Sequence, residues 1–61
     1  MEIREDISNE KIRSYYYPSG YVEIVFEPRT LSVDDLGQHI IEDSRGRTTL
    51  VRSGWIKLEK G

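Results

Sequence analysis

The chain is predicted to fold as a small, mainly β domain with about five short antiparallel strands and one short helical turn. Three observations predict this class. Segments rich in β-branched and aromatic residues flank Pro18-Ser19-Gly20, similar segments flank Ser44-Arg45-Gly46, and Ser53-Gly54 precedes a further short apolar segment. With 61 residues, the chain forms a single domain, 1–61. A domain of this size buries only about 60% of the surface that its unfolded state exposes.

The first predicted hairpin joins residues 11–17 to residues 21–26 through Pro18-Ser19-Gly20. Pro suits the first central position of a type I turn, and Gly suits the left-handed conformation that follows it. A three-residue loop of this kind pairs Tyr16 with Val22 and sets the register of the whole hairpin.

This register divides the hairpin into two faces. We expect the first to form the core: Ile12, Ser14, Tyr16, Val22, Ile24 and Phe26. The second face carries Arg13, Tyr15, Tyr17, Tyr21, Glu23 and Val25. A one-residue slip would bury Arg13 in place of Ile12, so burial disfavours it.

A one-turn connector is predicted between the two hairpins. Residues 27–29 (Glu-Pro-Arg) end the second strand, and Ser32 caps a short helical turn. Asp34 and Asp35 lie at the positive end of this turn, and Gly37 terminates it.

The second hairpin is predicted to join residues 38–43 to residues 47–52 through residues 44–46, again with Gly at the third loop position. Residues 53–54 then turn the chain into a third strand, residues 55–60, which pairs with the second. One face of this meander carries Ile41, Thr49, Val51, Ile56 and Leu58, and the other carries Ile40, Leu50, Arg52, Trp55 and Lys57. Apolar side chains on both faces require closure into a barrel or a covering partner.

By strand number and length, the closest architecture is a five-stranded bent sheet or an SH3-like barrel. Residues 1–10 are predicted to form a short helix, because Ile3 and Ile7 have helical spacing, or a disordered acidic arm.

Composition excludes several classes of site. The chain has no Cys, which excludes a disulfide framework and any Cys-based zinc site, and its single His argues against a His-rich metal site. We expect no cofactor and no metal. No stretch approaches the roughly 20 apolar residues of a membrane span. The N-terminus is acidic and lacks the apolar region of a signal peptide. A cytoplasmic location is therefore expected.

Catalytic residue types are concentrated only at Asp34, Asp35, His39, Glu42 and Asp43. The first two have a capping role, Asp43 would oppose a basic residue beside a turn, and His39 would face Val51 across the sheet. No nucleophile–base pairing or phosphate-binding loop accompanies them. We therefore expect no enzymatic activity.

Tyr15, Tyr17 and Tyr21 share the second face of the first hairpin. They pack under the N-terminal segment, complete a second small core, or form a recognition surface for another protein. A recognition surface predicts a non-enzymatic binding module that acts through protein–protein contact, including self-association. An accessory regulator or a phage- or plasmid-encoded inhibitor would fit that description.

The alternative function is a nucleic-acid-binding regulator. Arg45, Arg47, Arg52, Trp55 and Lys57 would form a basic, aromatic-bearing sheet face, as single-stranded nucleic acids require. The net charge of −2 argues against it, because nucleic-acid binders usually carry a basic surplus.

Overall fold

The computed structural model describes residues 3–61. In this part of the chain, seven strands form two antiparallel sheets and no helix is present. The strands are β1 (Ile3–Asp6), β2 (Ile12–Tyr16), β3 (Val22–Phe26), β4 (Pro28–Val33), β5 (His39–Asp43), β6 (Thr48–Val51) and β7 (Lys57–Lys60). One sheet has the order β1-β4-β5-β6 and the other the order β3-β2-β7.

The mainly β antiparallel class is confirmed, whereas five strands, a helical turn and a closed barrel are wrong. Between residues 3 and 61 no helix could cross a membrane. The strand count rises in part because residues 3–6, predicted to form a helix or a disordered arm, are β1 and pair with β4. The first two residues of that predicted segment lie outside the described residues.

Glu27 alone separates β3 from β4, and its φ of 51° bends the chain from one sheet into the other. Its N–H donates to the Lys11 carbonyl at 2.8 Å, and its carbonyl accepts from the Ser44 N–H at 3.0 Å. The bend is thus held from both sides. Pro28, expected to end a strand, is buried and begins β4, a position at which a strand tolerates Pro.

The predicted helical turn is a hairpin loop between β4 and β5. The Asp34 N–H donates to the Gln38 carbonyl, and the Gly37 N–H donates to the Asp34 carbonyl, both at 3.1 Å. Asp34 Oδ1 also accepts from the backbone N–H groups of Leu36 and Gln38. Ser32, the predicted cap, lies buried in β4.

The loop between β5 and β6 repeats this arrangement. Asp43 Oδ1 accepts from the N–H groups of Arg45 and Arg47, and Gly46 has a φ of 80°. Both loops have an Asp, two variable residues, a Gly and a closing residue. This short repeat was missed in the sequence, because the first copy was assigned to a helix.

The register of the first hairpin is confirmed, but the prediction of its buried face is wrong. Tyr16 pairs with Val22 as predicted, yet Val25 is 3% exposed and Phe26 is 57% exposed. The face that carries Ile12 and Phe26 was predicted to be buried on the assumption that Arg13 cannot be. In the structure Arg13 is 2% exposed.

The second hairpin has the predicted register, with His39 opposite Val51 and Ile41 opposite Thr49. The third strand of the meander is wrong, because β7 pairs with β2 in the other sheet. The Ile56 N–H donates to the Tyr16 carbonyl at 2.8 Å, and the Ile56 side chain is exposed. The chain after β6 therefore crosses to the other sheet.

The core lies between the two sheets. Its buried apolar residues are Ile7, Tyr15, Val25, Leu31, Ile41 and Val51. Tyr17, Val33, Trp55 and Leu58 pack around it and are partly buried. The three-stranded sheet turns the residues of one face toward this core and those of the other face away from it.

Candidate functional site

The surface of the three-stranded sheet that faces away from the core is called here the outer face. It carries the residues predicted to be core: Ile12, Ser14, Tyr16, Val22, Ile24 and Phe26, together with Lys57 and Glu59 of β7. Its β7 side is polar, since the Tyr16 hydroxyl donates to Glu59 and Lys57 Nζ lies 5.3 Å from the Tyr16 ring centroid. Its β3 side is apolar, since Ile24 and Phe26 are exposed.

β3 also forms a free edge of its sheet. The Tyr17 N–H donates to the Tyr21 carbonyl, and the Glu27 N–H donates to the Lys11 carbonyl. In an antiparallel pair such hydrogen-bonded positions alternate with positions whose backbone groups point away from the partner. The outward-pointing positions of β3 are Val22, Ile24 and Phe26. These three residues therefore present apolar side chains on the outer face and unpaired backbone groups at the edge.

A cleft of about 280 Å³ adjoins the same edge from its inner side. It is lined by Tyr17, Tyr21, Glu23, Leu50 and Arg52. The Tyr17 hydroxyl donates to the Arg52 carbonyl at 2.7 Å, and the rings of Tyr17 and Tyr21 are 5.9 Å apart. The first of these contacts links the β2–β3 hairpin to the end of β6.

The three tyrosines predicted to bind protein are thus divided. Tyr17 and Tyr21 share this cleft, and Tyr21 is 59% exposed. Tyr15 has no exposed surface and lies in the core, where a partner cannot reach it. All three tyrosines lie on one face of the hairpin, as predicted. Tyr17 and Tyr21 lie at the rim of the core, and Tyr15 lies at its centre.

A buried polar network surrounds Tyr15. The Arg13 guanidinium donates to both carboxylate oxygens of Glu10, at 2.8 and 2.9 Å, and to the Tyr15 hydroxyl at 2.9 Å. The Tyr15 hydroxyl lies 2.7 Å from His39 Nδ1. Trp55 closes the network, with its ring 5.4 Å from that of Tyr15 and 5.7 Å from that of His39.

Burial, assisted by the charge of Arg13, lowers the pKa of His39. The imidazole is therefore neutral at pH 7, and its Nδ1 accepts the hydrogen bond of the Tyr15 hydroxyl. Burial raises the pKa of Tyr15, although Arg13 acts in the opposite direction. The bond from Arg13 lowers the pKa of Glu10. Tyr15 is consequently a neutral phenol, not an activated phenolate.

This network stabilises the interior. No buried side-chain nitrogen or oxygen in residues 3–61 lacks a hydrogen-bond partner. The sequence contained a signal for it: Arg13 and Tyr15 are two positions apart on one strand face, and Glu10 precedes Arg13 by three residues. A paired acid is what permits a buried Arg.

The five residues proposed for nucleic-acid binding are distributed over several elements of the structure. Arg45 and Arg47 lie at the loop before β6, and Arg52 lies beyond its other end, roughly 17 Å from Arg47 along a strand. Trp55 packs against Tyr15 in the core, and Lys57 belongs to the other sheet.

Two of the acidic residues singled out in the sequence have hydrogen-bonding roles in loops. Asp34 and Asp43 close the two repeated loops described above. Among residues 3–61, no three His, Cys, Asp or Glu side chains come together in a group that could hold a metal ion.

No protein-family model matches the chain, and no curated protein or solved structure is significantly similar to it.

Proposed function

We propose that the chain is a non-enzymatic binding module that acts through protein–protein contact and accepts an extended polypeptide strand at the free edge of β3. One observation carries this proposal: Val22, Ile24 and Phe26 combine unpaired backbone groups with apolar side chains, beside a cleft that contains two tyrosines. Main-chain bonds supply affinity in strand addition, and pockets for alternate side chains supply specificity.

The remaining edges of the two sheets are less suited to accept a strand. β1 carries Arg4, Glu5 and Asp6, and β7 carries Lys57, Glu59 and Lys60. Charged side chains on an edge strand oppose pairing with another chain. β6 is uncharged, but its Leu50 lines the same cleft as the inner side of β3.

The expected partner has apolar side chains at alternate positions. An added strand would place one set of side chains beside Ile24 on the outer face and the next set beside Tyr21 and Glu23 in the cleft. The cleft is lined by one acidic and one basic residue, Glu23 and Arg52, so polar residues of the partner suit the cleft side.

A paired NMR titration tests this function. The chain, labelled with ¹⁵N, is titrated with a heptapeptide of alternating valine and threonine, and separately with a single-stranded oligonucleotide. We expect the peptide to shift and protect the amides of Val22, Ile24 and Phe26. Ile24→Lys should abolish the effect, whereas Leu36→Lys, at an exposed apolar residue of the β4–β5 loop outside the β3 edge and the cleft, should retain it.

Two results would contradict the proposal. One is the absence of any change at the β3 amides at millimolar peptide. The other is saturable oligonucleotide binding with shifts centred on Arg45, Arg47 and Arg52, which would favour the nucleic-acid-binding alternative.

A further inference from the structure

We infer that the strand accepted at this edge is β3 of a second copy of the chain, paired antiparallel about a twofold axis at Ile24. This inference rests on the proposed function, because it names the occupant of the same edge. It predicts a homodimer in which the two three-stranded sheets join into one continuous sheet.

The register follows from the outward-pointing backbone groups. Only the pairing that sets Ile24 against Ile24 of the other copy also sets Val22 against Phe26 and Phe26 against Val22. All three outward positions of each copy then form hydrogen-bonded pairs, each exchanging two hydrogen bonds. Moving the axis by one residue toward either end of β3 leaves one outward position of each copy unpaired.

Side-chain chemistry favours the same register. On the outer face, isoleucine meets isoleucine and valine meets phenylalanine, with no charge among them. On the inner face, Glu23 lies opposite Val25 of the other copy, so no like charges are directly opposed. Ile24 and Phe26, exposed by 45% and 57%, would cover one another across the axis.

The open length of the edge matches a twofold pairing. The Ser44 N–H and hydroxyl both bond to Glu27, so the β5–β6 loop closes the edge just beyond Phe26. The Pro18-Ser19-Gly20 loop limits it at the other end. The accessible segment is therefore centred on Ile24. A second copy pairs with the whole of this segment, and the free β3 edge of each copy is then covered by the other.

Pairing of this kind stops at two copies. A twofold interface uses the same patch on both subunits and is closed. The joined sheet would end on both sides at β7, where Lys57 and Lys60 resist further strand addition. The chain also has a small core and no disulfide, and domains of this size commonly gain stability by oligomerisation.

The dimer is expected to be of moderate affinity. A standard interface buries about 800 Å² per partner, which is roughly a fifth of the 4359 Å² surface of this chain. Three residue pairs along one edge bury less than that. We expect dissociation constants on the order of micromolar to tens of micromolar, so the dimer should appear and disappear within an accessible concentration range.

Cysteine crosslinking tests the register, since the chain contains no Cys of its own. Hydrogen-bonded antiparallel positions lie about 5.5 Å apart between Cα atoms, within disulfide range. Ile24→Cys should therefore form a disulfide dimer on mild oxidation at about 100 μM, whereas the control Leu36→Cys, on the exposed β4–β5 loop, should not. Val22→Cys and Phe26→Cys should each crosslink poorly alone, because equivalent residues are roughly 14 Å apart. An equimolar mixture of the two should crosslink well.

Sedimentation supplies the second measurement, with folding of each variant checked by its NMR spectrum. The unmodified chain and Leu36→Lys should show a concentration-dependent dimer, whereas Ile24→Lys should remain a folded monomer. A chain that stays monomeric to about 1 mM, with Ile24→Cys crosslinking no more than Leu36→Cys, would overturn the inference. Preferential crosslinking of Val22→Cys or Phe26→Cys alone would overturn the register.

The two proposals fail separately. If no dimer forms but the alternating peptide still protects the β3 amides, the occupant is another protein and the proposed function stands. If neither a second copy nor the peptide engages this edge, both are wrong.

Discussion

Exchanging valine for threonine at two positions of β3 tests which face of the first hairpin is buried. Threonine keeps the shape and the β-branched character of valine but replaces a methyl group with a hydroxyl. Val25 is 3% exposed and packs in the core, whereas Val22 lies on the outer face. The two substitutions are thus chemically identical and differ only in the side of the sheet.

The expected costs are well separated. A hydroxyl buried without a new partner costs about 1–3 kcal/mol in proteins, so Val25→Thr should lower the free energy of unfolding by that amount. Val22→Thr should change it by less than about 0.5 kcal/mol. At about 0.05–0.15 kcal/mol per residue, a chain of this length has a total stability of only about 3–9 kcal/mol. The loss at Val25 is therefore a large fraction of the whole.

Urea unfolding of both variants provides the measurement, at low micromolar protein and again after tenfold dilution, so that any effect of self-association is seen. A loss of 1 kcal/mol should lower the melting temperature by about 4–8 °C, which is an independent check. If Val22→Thr costs as much as Val25→Thr or more, the interior is the face predicted from the sequence, and the orientation described here is wrong.

Two further predictions concern the buried network. Arg13→Met should lower the free energy of unfolding by about 2 kcal/mol, because hydrogen bonds to charged groups contribute about 1.5–3 kcal/mol and Glu10 loses its partner. Adding Glu10→Gln should recover part of the loss. A urea midpoint unchanged by Arg13→Met would contradict the pairing. The lowered pKa of His39 means that the folded state binds the imidazole proton less readily than the unfolded chain, so stability should be full above the ordinary value of 6.5 and fall as the pH drops below it. In His39→Gln the melting temperature should be nearly independent of pH between about pH 7.5 and 5.5. This range lies above that in which Glu10 is protonated. A melting temperature of the unmodified chain that is also independent of pH in this range would refute the assignment.

The registers of the hairpins could be predicted from the sequence, because they depend on local chemistry. A three-residue loop with Gly at its third position fixes which residues face each other, and both predicted loops behave in this way. The same pattern at Asp34–Gln38 was hidden by a capping interpretation that the residues also fit. Ser and Asp favour helix N-termini and hairpin turns alike.

The orientation of the first hairpin could not be predicted by counting apolar residues. Both faces carry aromatic and aliphatic side chains, so the prediction of the buried face depended on whether Arg13 can be buried. The burial of this Arg depends on Glu10, which lies outside β2. The pairing of β7 depends likewise on contacts distant in sequence.

The candidate site was predicted only in part for the same reason. Tyr17 and Tyr21 were identified because aromatic residues beside a turn are conspicuous. The importance of the β3 edge was not, because a strand is known to be an edge only when the partners of every other strand are known. Because β7 was predicted to pair with the second hairpin, the edge strands of the three-stranded sheet could not be predicted.

The pairing of β7 with β2 also governs how the chain reaches its native state. Three hairpins join neighbouring strands through short loops, and such units form within about 1–10 μs. The contact between Tyr16 and Lys57 instead spans most of the chain and requires closure of a long loop. Until it forms, the β2–β3 ribbon has only two strands and is marginally stable by itself. Docking of β7 is therefore the step expected to limit the refolding rate, and the interval before it is when the backbone of β2 is open to association with other unfolded chains.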